Sequence, residues 1–156
     1  MYIILYNGGK EMKDMITLKA TDVRKEWSSV LENTIRNNKP QFIKRTRDYL
    51  VLSDIDTFNN LLEPYKFSAN RYIEDDGSIT LSLNEIDIIE NGKTEKAAEK
   101  KLAAAILEYA TDFYNDFEFW KNAPNRKSHI PYVLKALIVD DVNKIMELIT
   151  CQDGKR

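Results

Sequence analysis

The stretch TLKATDVRKEW, residues 17–27, sets Arg24 and Lys25 just behind Thr21, a residue of the type that caps helices. The first turn of a helix favours acids, because the backbone dipole is positive there. Asp22 obeys that preference; the two cations break it. More cations follow at Lys44, Arg45 and Arg47, and Lys19 precedes them all. Residues 15–47 hold eight basic and three acidic side chains, a net of +5, whereas residues 48–156 hold 13 basic and 20 acidic. A basic front and an acidic back suit two partners of opposite sign.

Other residues capable of chemistry are sparse. Asp112 and Asp116 lie four apart on one helical face, and Asp75 and Asp76 stand in a turn. A magnesium-dependent hydrolase needs such carboxylates, although Asp75-Asp76-Gly77 is also plain turn chemistry. His129 has no second histidine to work with and reads as a helix-start residue. Arg126 and Lys127 follow Trp120 on a loop, an arrangement that RNA-binding surfaces use and that ordinary interhelical loops share. Cys151 is the single cysteine, near the end of the last helix, so no disulfide forms within the chain. There is no phosphate-cradling glycine motif, no nucleophile elbow and no zinc spacing. Nothing points to a catalytic residue, a metal or a cofactor, and the chain does not read as an enzyme.

These residues must be carried by an α+β frame. MITLKA is a short strand. From Thr21 to Asn38 the apolar residues Val23, Trp27, Val30, Leu31 and Ile35 mark one face of a single helix, which Lys39-Pro40 ends. QFIKR and DYLVLS read as two strands joined by a tight turn at Thr46 and Arg47. The second is apolar on both faces, as a covered inner strand would be. A short helix follows, capped by Ser53 or Asp54, with Ile55, Phe58, Leu61 and Leu62 inward and Pro64 as its stop.

Beyond it the pattern changes. KFSANRYIE and SITLSL flank Asp75-Asp76-Gly77 as a hairpin, and IDIIENGK supplies a third strand. Thr94 caps the longest helix, whose stripe runs through Ala98, Leu102, Ala105, Ile106, Tyr109, Phe113 and Phe117. Two further helices follow a loop: one opens at Ser128, the other is capped by Asp140-Asp141 and runs on through Ile149. The predicted organisation is a leader at 1–14, a module at 15–65 and an αβ region at 66–156. With 43% hydrophobic and 31% charged residues, the composition is that of a folded soluble protein. No run is apolar for long enough to span a membrane, and MYIILYNGG lacks the basic start of a signal peptide, so a cytoplasmic protein is expected.

The order strand, helix, strand, strand, short helix over 15–65 resembles the N-terminal module of the Phd/YefM antitoxins. The resemblance rests on Ala20, Thr21, Arg24, Trp27, Leu31, Pro40, Ile43, Arg45, Val51, Ser53, Phe58, Leu61 and Leu62, in order, over about a third of the chain. Two departures stand out: RTRDY lacks the family's usual glycine in the strand turn, and the fourteen-residue leader is extra. The resemblance implies a homodimer, or a higher even oligomer, whose paired modules bind operator DNA and repress their own gene. The rest of the chain would neutralise a partner toxin, on family analogy a RelE-like ribonuclease. Arg24 and Arg45 match the two arginines that the family uses against DNA. Lys19, Thr21, Lys25, Lys44 and Arg47 join them by position and charge. On this reading the misplaced cations of the first turn strengthen the anion site that a helix N-terminus already is. A dimer neutralising ~6 to 8 phosphates would bind far better at low salt than at high salt. The stretch from Glu74 to Tyr114 is similar in turn to HicB-type antitoxin domains, through its strands, glycine turn and Thr94-to-Ala98 helix opening, which implies a structured toxin-binding region. The alternative function is an RNA-binding regulator or metal-dependent nuclease that uses the C-terminal half.

Overall fold

The computed structural model describes residues 16–154, so the leader at 1–14 lies outside the described residues. The chain divides into two compact units, with the division after Asn60.

In the first unit, β1 (Thr17–Lys19) runs straight into α1 (Ala20–Lys25), and α2 (Trp27–Arg36) follows after the single residue Glu26. The hairpin β2 (Gln41–Arg45) and β3 (Asp48–Leu52) and the short α3 (Ile55–Leu61) complete the element order. β2 lies in the middle of the sheet, parallel to β1 and antiparallel to β3. Val23, Val30 and Ile43 are its buried core, with Leu18, Ala20 and Leu52 packed around them.

Several expectations are corrected here. The single helix over 21–38 is two helices, because the backbone leaves helical geometry at Glu26 (φ −106°, ψ 27°). Thr21 is not the cap: Lys19 holds that position without a side-chain bond, and Ala20 already starts the helix. Arg24 and Lys25 therefore occupy the last turn of a six-residue helix, where exposed carbonyls favour cations, so they break no rule. β3, expected to be a covered inner strand, is an edge strand on which Tyr49, Leu50 and Val51 are exposed. Of the residues expected to face inward along α3, Ile55 and Leu61 are exposed and Leu62, just beyond the helix, is buried. The cap of α3 is Asp54, whose Oδ1 accepts from the Thr57 N–H at 2.8 Å.

The second unit has a four-stranded sheet in the order β6-β5-β4-β7, made of β4 (Phe67–Ile73), β5 (Ile79–Leu83), β6 (Ile89–Gly92) and β7 (Ile149–Asp153). The β4–β5 hairpin turns at Gly77, whose φ of +80° is the left-handed conformation that glycine adopts freely. Thr94 caps α4 (Glu95–Asn115) by accepting from the Ala97 N–H. α4 packs against β5 and β6 and against α6 (Ile130–Val139) and α7 (Val142–Leu148), with the short α5 (Phe117–Asn122) between α4 and α6. Phe67, Leu81, Leu102, Ile106, Phe113, Val133 and Ile145 are among the fully buried side chains of this core.

Two boundaries differ from the sequence reading. The long apolar stripe is cut at Asp116, so Phe117 opens α5. The last helix stops at Leu148, and Ile149 to Asp153 form β7, parallel to β4. Cys151 therefore sits in a strand and not on a helix end. The β-branched pair Ile149-Thr150 favours that extended state once β4 offers an edge to pair with.

Candidate nucleic-acid interface

The parallel register of β1 with β2 sets Lys19 directly beside Lys44. Strand alternation places both on the sheet face that carries Phe42, Tyr49 and Val51, opposite the face of the buried Ile43. The Lys44 ammonium lies 5.3 Å from the centroid of the Tyr49 ring, a cation–π contact. Arg45 points the other way and ends β2 across from Asp48. Thr46 then turns the chain with φ of 55°, taking the left-handed conformation at the place where the Phd/YefM pattern has glycine.

Lys19, Thr21, Lys44 and Arg45 line one surface concavity of about 380 Å³, together with Ala20 and Thr46. Four of the seven candidate residues are thus brought together. Arg24, Lys25 and Arg47 are not part of that lining; the first two project from the last turn of α1 and Arg47 from the hairpin turn. Lys19, Arg24, Lys25, Arg45 and Arg47 are exposed, and among the described residues none of these five forms an ion pair. Lys19 and Lys44 thus stand side by side as neighbouring cations on one face of the sheet.

The acids considered for metal chemistry do not converge. Among the described residues the group whose ligand atoms approach one another closely is Glu95, Glu99 and Cys151, all half-buried, and it includes none of Asp75, Asp76, Asp112 or Asp116. No sequence signal marked that trio, because it joins the start of α4 to a strand 52 residues away from Glu99. Its Glu95 is already engaged: Arg71 Nη1 donates to both Glu95 oxygens at 2.9 and 2.8 Å while its Nε and Nη2 reach Asp153. Burial and the two glutamates push the Cys151 thiol up, away from the thiolate that binds metals.

His129 is a core residue. It is buried in a 3₁₀ turn before α6, and its Nδ1 lies 2.8 Å from the Tyr109 hydroxyl. Burial, and next the Arg126 cation, hold its imidazole below its usual range. The loop cation Arg126 pairs with Asp87 at 3.3 Å. Nothing in the sequence marked Lys135. Its ammonium is buried and donates to the carbonyls of Tyr65 at 2.6 Å and Leu62 at 3.3 Å.

Residues 12–151 match the model of the PHD_like family, described as the antitoxin of toxin–antitoxin, RelE/RelB, TA system. The chain belongs to this antitoxin family. The match runs through both units, well past the third of the chain that carried the resemblance. The antitoxin is similar in structure to a crystallised antitoxin from Syntrophomonas wolfei subsp. wolfei, with a TM-score of 0.84 and 35% identity over 88% of this chain and 99% of that one. Among curated protein sequences none matches significantly. An antitoxin of a toxin–antitoxin system has a toxin as its partner. Among the described residues no helix is long and apolar enough to cross a membrane.

Proposed function

We propose that this antitoxin is a DNA-binding autorepressor of the Phd/YefM kind, which dimerises and grips operator DNA through residues 15–65 and holds its toxin, a RelE-like ribonuclease, through residues 66–156. The observation that carries the DNA reading is the concavity between β1 and the β2–β3 turn, where Lys19, Thr21, Lys44 and Arg45 meet. Arg24, Lys25 and Arg47 extend the same charge over the neighbouring surface. Phosphate oxygens are the natural occupants, because phosphate contacts fix a protein on the duplex without requiring base recognition.

Dimerisation has its own support. Ile16, Trp27, Ile35, Phe42, Tyr49, Leu50, Val51 and Ile55 are all exposed, between 41% and 62%, on a unit whose buried apolar core is Val23, Val30 and Ile43. So small a core needs more burial than one copy provides, and a second copy covers the edge strand β3 and the Phe42–Val51 end of its sheet in one step, leaving the Lys19–Lys44 end to the duplex. Two copies then present two sets of cations to one duplex.

The test is a gel shift on the DNA upstream of the gene, with Arg24→Ala and Arg45→Ala measured separately. Each is expected to weaken binding, and to make the salt dependence shallower by roughly 0.9 log units for every phosphate that the variant no longer neutralises. Binding that neither substitution changes would defeat the reading.

A further inference from the structure

From the acidic, aromatic shelf at the α4–α5 break we infer that the toxin docks there through a basic segment, an arginine side chain lying on Phe119 with its guanidinium between Asp116 and Glu118. The inference rests on the toxin-neutralising reading above and gives it an address. Asp116 interrupts the helix (φ −123°, ψ 51°), and its carboxylate makes no capping bond to α5. Asp116, Glu118, Phe119, Asn122, Ala123 and Pro124 line a surface concavity of about 750 Å³.

The shelf is held in place from beneath. Trp120 stacks on Phe113 at 5.9 Å and meets Tyr109 edge-on at 6.0 Å, so the preceding residue in the chain, Phe119, is presented outward on a fixed turn. Phe119 is 61% exposed and Tyr114 59% exposed. The Asn122 amide and the Ala123 N–H close the end of α5 by donating to the Glu118 and Trp120 carbonyls, which leaves the Glu118 carboxylate free of that work.

Charge selects the occupant. Between Leu107 and Pro124 the chain carries Glu108, Asp112, Asp116 and Glu118 against Lys121 alone, and among the described residues none of these four acids is ion-paired. An aromatic face beside carboxylates suits arginine above other side chains, since the planar guanidinium stacks and donates at once. A ribonuclease carries such cations to hold RNA, and opposite charge speeds its encounter with this surface.

The experiment titrates the full-length antitoxin, by calorimetry, with the purified product of the neighbouring reading frame, at low and high salt. Phe119→Ala is expected to weaken binding by about tenfold or more, as truncating an interface anchor does. Glu118→Lys should weaken binding and make the affinity less sensitive to salt. Both side chains are exposed, so thermal melting should show both variants as stable as the parent. Wild-type affinity in both variants overturns the shelf while leaving the antitoxin reading intact, whereas a parent that fails to bind defeats that reading as well. A drop in the oligomeric state of Phe119→Ala by light scattering, with toxin binding unchanged, would make the shelf a contact between copies and also overturn the inference.

Discussion

The Tyr109 hydroxyl lies 2.8 Å from Nδ1 of His129, and the pair fastens the long helix α4 to the 3₁₀ turn that leads into α6. Tyr109 also meets Phe113 and Trp120 edge-on, so this bond sits at the rim of an aromatic cluster under the α4–α5 break.

The bond makes stability depend on pH. His129 is held below its usual range by burial, and next by Arg126, so the folded chain keeps its imidazole neutral beside the Tyr109 hydroxyl. Above about pH 6.5 neither the folded nor the unfolded state binds the proton, and no effect is expected. As pH falls below 6.5 the unfolded chain takes up a proton that the folded one does not. Stability then falls, by at most about 1.4 kcal/mol per pH unit, until the lowered folded value is reached. Melting temperatures of the parent and His129→Gln between pH 5 and 8 should converge as pH drops, and parallel curves would contradict the assignment.

Thr46 takes φ of 55° in the β2–β3 turn, a region that a β-branched residue rarely enters. Thr46→Gly relieves that strain and gives back part of the gain as unfolded-state entropy. A net stabilisation of up to ~1 kcal/mol is expected, read as a higher midpoint in urea denaturation.

Gly92 ends β6 with no room for a side chain, since an added Cβ would lie 2.4 Å from the Ala98 nitrogen and 2.8 Å from the Ala97 carbonyl carbon. Both are backbone atoms of α4 and cannot swing aside. Gly92→Ala should cost about 1–3 kcal/mol in chemical denaturation, and a smaller change would mean that α4 shifts along the sheet without penalty.

Val51 is 56% exposed on the edge strand β3, beside Phe42 on the same sheet face. If a second copy covers the Phe42–Val51 end of that face, Val51→Asp should shift the antitoxin from dimer to monomer in light scattering. If two copies grip the operator together, DNA binding should weaken by about tenfold or more, and melting should fall because the burial supplied by the second copy is lost. A variant that stays dimeric would place the contact elsewhere.

Local chemistry made most of the elements legible in the sequence alone. The Asp75-Asp76-Gly77 hairpin, the Thr94 and Asp141 caps and the β2–β3 hairpin each depend on bonds that span a few residues, and all stand where the sequence put them, whereas the helix expected to run to Asn38 ends at Arg36. The cations of the candidate interface were legible as charges. That Lys19 and Lys44 are neighbours, with Thr21 and Arg45 around one concavity, was decided by the parallel pairing of β1 with β2. Tertiary pairing also left β3 at an edge, drew Ile149–Asp153 out of the last helix into the second sheet, and buried Val23 and Val30 while Trp27 and Ile35 stayed exposed. The physical reason is the same in each case. A cap or turn is satisfied by atoms within about four residues, so its signal is written locally. An apolar residue marks what could be buried, but which surface covers it, and which strand it pairs with, is set by partners far away in the chain.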